Sequence, residues 1–159
     1  MITIYFDTGE ALSLSMGSLV NSNLKGLELH RAIFDSLDIS GADFTGSNLR
    51  NSSFDHSLMN RVVMSGVALM NATLIGAQIK EADLSSVLAI GADFSEADIS
   101  MSNLKNADIY GASFIGANLC DTNLDVRRID EAVFSDALYN DRTVWPKDFD
   151  PEKHGAVKV

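Results

Sequence analysis

From Leu12 to Asp136 the chain repeats in fives with no insertion or deletion, and very few folds accept that period. Ala42-Asp43-Phe44-Thr45-Gly46, Ala92-Asp93-Phe94-Ser95-Glu96 and Ala117-Asn118-Leu119-Cys120-Asp121 are three of its units. The third residue of each unit is its centre. Centres run from Leu14 to Phe134, which makes 25 units, and all but Ala89 are Leu, Ile, Met or Phe. Two residues before the centre the side chain is small: 11 Ala, 5 Ser, 3 Val, one Thr and one Gly. The departures are Leu12, Leu27, Leu37 and Arg127. A helix needs apolar residues at a spacing of 3.6 and a flat strand at 2, so five fits neither. It fits a very short strand followed by a corner. The small residue and the centre then face one side, and the residue between them faces the other. Eight of the 11 glycines fall two residues after a centre, among them Gly46, Gly66 and Gly111. That is where the chain must turn, and glycine turns without steric cost.

A second period counts the corners in one lap. Phe34, Phe54, Phe94, Phe114 and Phe134 are separated by multiples of twenty, with Leu14 and Leu74 filling the remaining places. The expected core ladder is therefore Phe34, Phe54, Leu74, Phe94, Phe114 and Phe134, on a four-sided coil of 20 residues stacked about six times. At roughly 4.8 Å per lap the rod would be ~30 Å long. The second face carries Leu19, Ile39, Met59, Ile79, Ile99 and Leu119. The third carries Leu24, Phe44, Met64, Leu84, Leu104 and Leu124, and the fourth Leu29, Leu49, Leu69, Ala89, Ile109 and Ile129.

Repeated Ala-Asp/Asn-Leu/Phe-x-x units of this kind resemble the pentapeptide-repeat family, over about four-fifths of the chain. The resemblance implies an all-β, right-handed quadrilateral β-helix. Spacing alone supplies the four sides; the hand comes from the resemblance.

Residues 1–11 precede the frame. Ile2, Ile4 and Phe6 alternate with Thr3 and Tyr5, so a strand that begins or covers the N-terminal end is expected. The repeat solenoid is expected over 12–136 and a capping tail over 137–159. Both prolines and the only tryptophan lie in that tail, and each proline pushes its predecessor away from helix. Its Tyr…Thr-x-Trp-Pro-x-x-Phe-Asp-Pro…Gly-Ala pattern resembles the tail of many bacterial, notably cyanobacterial, members of the family. Trp145 and Phe149 are assigned to covering the last coil. No basic, apolar and small-residue series marks a secretory signal, no apolar run reaches membrane length, and one cysteine suits a reducing compartment. A cytoplasmic protein without a membrane span is expected. The net charge of -10 disfavours direct contact with nucleic acid or anionic lipid.

Some outward positions are apolar where polar residues are the rule. On the fourth face Met70, Leu88, Ile90 and Tyr110 make a candidate interaction patch, for an unknown protein partner or for self-association. Ile75, Ile115, Leu58 and Val63 also point outward on paper. The competing expectation is local: with Ala89 at a centre, the strand shifts and turns Leu88 or Ile90 inward. No chemistry is found beside this patch. His30, His56 and His154 lack metal spacing, and no histidine shares the column of Cys120 to activate it. Exposed carboxylate columns such as Asp35 and Asp55 read as solvated surface. No catalytic, metal or cofactor site is expected, and no cofactor.

Two classes of function follow. One is a non-enzymatic scaffold for protein–protein interaction. The other is a DNA mimic that modulates DNA gyrase or another topoisomerase, as in quinolone-resistance relatives. Magnitudes favour the first. Duplex DNA of ~30 Å carries ~18 charges, whereas Leu12 to Asp136 holds 16 acids and 8 bases, a net -8.

Overall fold

Backbone pairing in the computed structural model, which describes residues 1–159, follows the five-residue unit. The residue before each centre forms a parallel bridge with the residue 20 positions on: Asn23 with Asp43, Ser53 with Thr73, Leu58 with Gln78, Leu88 with Asp108. Four units separate stacked neighbours, and the chain climbs as a β-solenoid. Only one residue per unit bridges, because the next corner arrives before a longer strand can form. At the corners, the residue two past each centre lies in the left-handed region at every unit from Asn21 to Asp121. Glycine holds this place at no cost; Arg61, Glu81 and Met101 hold it with a strained Cβ.

Every centre from Leu19 to Phe134 is buried. Each contributes roughly 1.5–3 kcal/mol before chain entropy is subtracted. In the phenylalanine column Phe34 stacks on Phe54 at 4.9 Å, and Phe94, Phe114 and Phe134 stack at 5.0 and 5.2 Å. Leu74, fully buried, separates the two stacks. Serine and threonine replace alanine at the small inward place because their hydroxyls find carbonyls there. Ser57 donates to Phe54 O, Thr122 to Ile99 O and Thr143 to Leu119 O. Outward Asp and Asn accept from the backbone two residues on, as Asp93 does from Ser95 and Asn103 from Lys105.

The frame slips once. The guanidinium of Arg127 would have to enter an apolar lumen, so the chain advances by one residue. Val126 takes the inward place and Arg127 bridges Asp108, 19 positions away. Arg128 absorbs the offset at φ 54°, and a 3-10 turn over Ile129–Glu131 returns Ile129 to the core.

Both ends differ from the regular laps. Strand β1 (Ile2–Phe6) pairs antiparallel with β2 (Ala11–Leu14) and with β3 (Ala32–Ile33), in the order β2-β1-β3. Leu12 and Leu14, which the frame assigns to a first unit, thus belong to a hairpin. Leu14 pairs with Ile2, and β1 lies between it and the strand that leads to Phe34. The alternation of Ile2, Ile4 and Phe6 captures that edge, with Ile4 buried. Past Asp136 the pairing continues. Strand β4 (Leu138–Tyr139) carries β5 (Val157–Lys158) in parallel, and Val144 bridges Asn123 at 21 positions.

Candidate interaction surface

Ala89 stays in register. Leu88 donates its N–H to Val67 O and accepts from Leu69 N, both at bonded distance (3.0 and 2.9 Å), so Ala89 points inward, fully buried. The strand does not shift, and Leu88 remains on the outer side of the fourth face. Met70 and Ile90 follow their centres at the adjoining corner, half-buried, and Tyr110 above them is 44% exposed. Ala68, Leu88, Met70, Ile90 and Tyr110 thereby form one continuous apolar strip. Ile115 and Leu58 are exposed on other sides of the rod, apart from it.

The strip has polar ends. At its C-terminal end Arg128 grips the Asp108 carboxylate with Nε at 2.8 Å and Nη2 at 2.6 Å, and its guanidinium lies 4.6 Å above the Tyr110 ring. That grip holds the Asp108 carboxyl below its ordinary range, against the opposing effect of burial. Arg127 turns the other way and donates to Asn106 O. At the N-terminal end Arg50 donates to the Asn48 side chain and meets no carboxylate. This Asp108–Arg128–Tyr110 cluster was not foreseen from the residues. The signal was present in Arg127, whose misfit in the small column displaces Arg128 onto Tyr110.

Titratable groups elsewhere do not converge. His30 and Asn51 share a hydrogen bond of 3.0 Å, and His154 stacks on Phe149 at 4.3 Å. His56 lies on a separate corner. Burial, then Asp121 and Asp98, push the Cys120 thiol up, away from the thiolate a nucleophile needs. No three His, Cys, Asp or Glu side chains gather as metal ligands, and no cavity opens on the surface. No helix is long and apolar enough to cross a membrane. Trp145 and Phe149 lie against Phe134 at 5.4 and 5.7 Å, so the aromatic ladder runs on into the tail. Thr143, Val144 and Trp145 there repeat the small, bridging and central places of a unit.

The family model for pentapeptide repeats matches residues 18–51, 47–85 and 90–125, with eight copies. Among solved structures, the chain is similar to alr5209, a pentapeptide repeat protein from Nostoc Pcc 7120. Identity is 28%, the TM-score 0.62, and the match covers 64% of this chain and 84% of that one. It is also similar to the pentapeptide repeat protein Rfr23 from the cyanobacterium Cyanothece 51142, at 22% identity and TM-score 0.58, over 79% of this chain and 89% of that one. A trypsin-treated form of QnrB1, a plasmid-mediated fluoroquinolone resistance protein, shares the fold at 16% identity and TM-score 0.51, over 92% of this chain and 86% of that one. Among curated proteins none matches.

Proposed function

The chain belongs to the pentapeptide-repeat family, and from that premise we propose that it acts as a non-enzymatic scaffold, a rigid rod that presents one apolar strip to another protein. The family's right-handed β-helix supports a quadrilateral rod here, since each bridge spans four units, with about six laps. The observation that carries the reading is the strip itself. Met70, Leu88, Ile90 and Tyr110 adjoin on a surface whose other outward positions are mostly Asp, Asn, Ser and Thr. Such contiguous apolar surface costs solubility unless something covers it. Tyrosine, methionine and arginine at its centre and rim are the residue types favoured at interfaces. The partner is a protein, with no direct nucleic acid and no membrane, and the lone thiol suits the cytoplasm.

Affinity capture from the native host tests the reading. Ile90→Glu with Tyr110→Glu should abolish capture of proteins that the unaltered chain retains. An unchanged set of captured proteins would sink it.

The gyrase-mimic alternative is disfavoured by charge. Two of the carboxylates that would have to imitate phosphates are engaged locally, Asp43 with Lys25 and Asp98 with Lys80. A supercoiling assay separates the two: inhibition or drug protection at micromolar protein would reverse the preference.

A further inference from the structure

At the N-terminal end of the rod the hairpin of β1 and β2 leaves a free strand edge. Phe6 N–H donates to Glu10 O and Gly9 N–H to Phe6 O, both at 3.0 Å, so Phe6 and Glu10 close the hairpin as a bonded pair. Bonded and unbonded pairs alternate along an antiparallel ladder. The register of Ile4 with Leu12 and Ile2 with Leu14 therefore takes up the backbone groups of Leu12 and Leu14. Those of Ala11 and Ser13 point away from β1 and meet no other strand, since β2 is outermost in the order β2-β1-β3. Exposure follows the same alternation. Ala11, Ser13 and Ser15 are exposed, whereas Leu12, Leu14 and Met16 lie half-buried against the core. Edges that stay single usually carry a charge or a proline. The edge strand β5 at the other end has Lys158, paired with Asp141. Ala11 to Met16 has neither charge nor proline.

We propose that β2 pairs antiparallel with β2 of a second copy, about a two-fold axis at Ser13, so that two rods join base to base. A two-fold contact must be self-complementary, each residue meeting the image of its counterpart. Ser13 then exchanges both backbone hydrogen bonds with its own image. Leu12 meets Leu14 of the other copy, twice over, at the unbonded pairs where side chains approach most closely. On the outer side only small residues meet, Ala11 with Ser15. Glu10 faces Met16 at the margin, where its exposed carboxylate keeps its water. An axis at Leu12 would set Glu10 against Leu14 instead. The occupant follows from what the edge requires: a second unpaired edge that alternates large apolar with small side chains. Ala11 to Met16 supplies both, and pairing covers the leucines left half-exposed in the single chain. With β2 only 4 residues long, the contact is small and falls among the weaker, micromolar associations. The strip from Met70 to Tyr110 takes no part in it.

The test uses the full chain under reducing conditions. Sedimentation equilibrium up to ~300 µM should show a monomer–dimer equilibrium, as expected for a small interface. Ser13→Pro removes an N–H that the single chain leaves unbonded, and an edge strand accepts proline at such a place. It should weaken the dimer roughly tenfold or more and leave the melting temperature of the dilute monomer unchanged. Ser13→Lys and Ser13→Glu place like charges on the axis. Each variant alone should be monomeric, and an equal mixture of the two should associate. Ile90→Glu with Tyr110→Glu should leave the dimer as it is.

A protein monomeric at ~300 µM, a dimer that survives Ser13→Pro and Ser13→Lys, or a mixture no tighter than its two components would each overturn the pairing. So would a dimer lost on Ile90→Glu with Tyr110→Glu, which would place the contact on the strip. A monomer that loses a captured protein on Ser13→Lys would assign the edge to a strand of that protein and overturn the pairing of copies.

Discussion

Removing the middle ring of the three-ring stack tests whether the rod is held by its aromatic ladder. Phe114 is fully buried, with Phe94 at 5.0 Å and 3° on one side and Phe134 at 5.2 Å and 8° on the other. Phe114→Ala should cost about 3–5 kcal/mol, the range for emptying a buried phenylalanine site. The upper part of that range is expected. The bridging bonds Phe94 N to Ser113 O and Phe114 N to Val133 O, at 2.7 and 2.8 Å, hold the laps apart and oppose collapse into the void. Phe114→Leu separates the contributions. Leucine occupies this column at Leu74, so the site accepts it, but two stacks worth about 0.5–1.5 kcal/mol each are lost. Urea unfolding followed by circular dichroism should show Phe114→Leu down by about 1–2 kcal/mol. The melting temperature should fall by about 2–4 °C per kcal/mol for a chain of this size. A double-mutant cycle should give a coupling of about 0.5–1.5 kcal/mol between Phe114→Leu and Phe94→Leu. No coupling is expected with Phe34→Leu, which lies beyond Leu74. Equal coupling to Phe34 and Phe94, or a cost below a few tenths of a kcal/mol for Phe114→Leu, would mean that the rings do not act as a stack.

Corner strain gives an opposed pair. Met101, half-exposed at φ 61°, should gain about 0.5–1 kcal/mol on Met101→Gly, read as a raised melting temperature. Gly66→Ala at φ 69°, in open space, should lose about 1 kcal/mol. The Asp108 carboxyl, held low by Arg128, contributes stability above its unfolded value near 3.9 that fades as pH falls through the lower folded value. Arg128→Ala should therefore lower stability at pH 7 and flatten the acid limb of the stability profile, read by urea unfolding across about pH 3 to 7. At the tail, Trp145 Nε1 is buried without a hydrogen-bond partner. Trp145→Phe should stay within about 1 kcal/mol of the parent, whereas Trp145→Ala should cost about 2–4 kcal/mol, both read by urea unfolding.

The period of five made the inward places legible, because one insertion would move every later centre off its column. The bridge spacing was legible through the phenylalanines for the same reason. The ends were not. At the N-terminus Leu12 and Leu14 satisfy the frame, yet the antiparallel partner β1 competes for them, and alternation two residues apart fits a hairpin as well as a unit. In the tail, the extra residue before Thr143 hides a further unit, since Trp145 lies 21 positions from Leu124 rather than 20. The slip at Arg127 left a mark, a charge in the small column. Its consequence, Arg128 over Tyr110, depends on where a long side chain reaches, which spacing does not specify.

The same division explains where function can reside on this rod. Of five residues in a unit, two fill the lumen and one carries the bridge, so their backbone and volume are constrained by the laps on either side. The two corner residues answer only to a left-handed turn and to water. A corner column can therefore take on any chemistry without disturbing the stack. The corner column turns apolar at Met70, Ile90 and Tyr110, where a demand for solubility alone would favour polar residues throughout. Ala89 fits this account. The lap with the smallest centre in the lumen carries Leu88 and Ile90 outside, so apolar bulk sits on the surface at the level where the core has least of it. A chain shaped only by stability would place that bulk inward, at residue 89, and its absence there while Leu88 and Ile90 remain outside is what the proposed interaction surface accounts for.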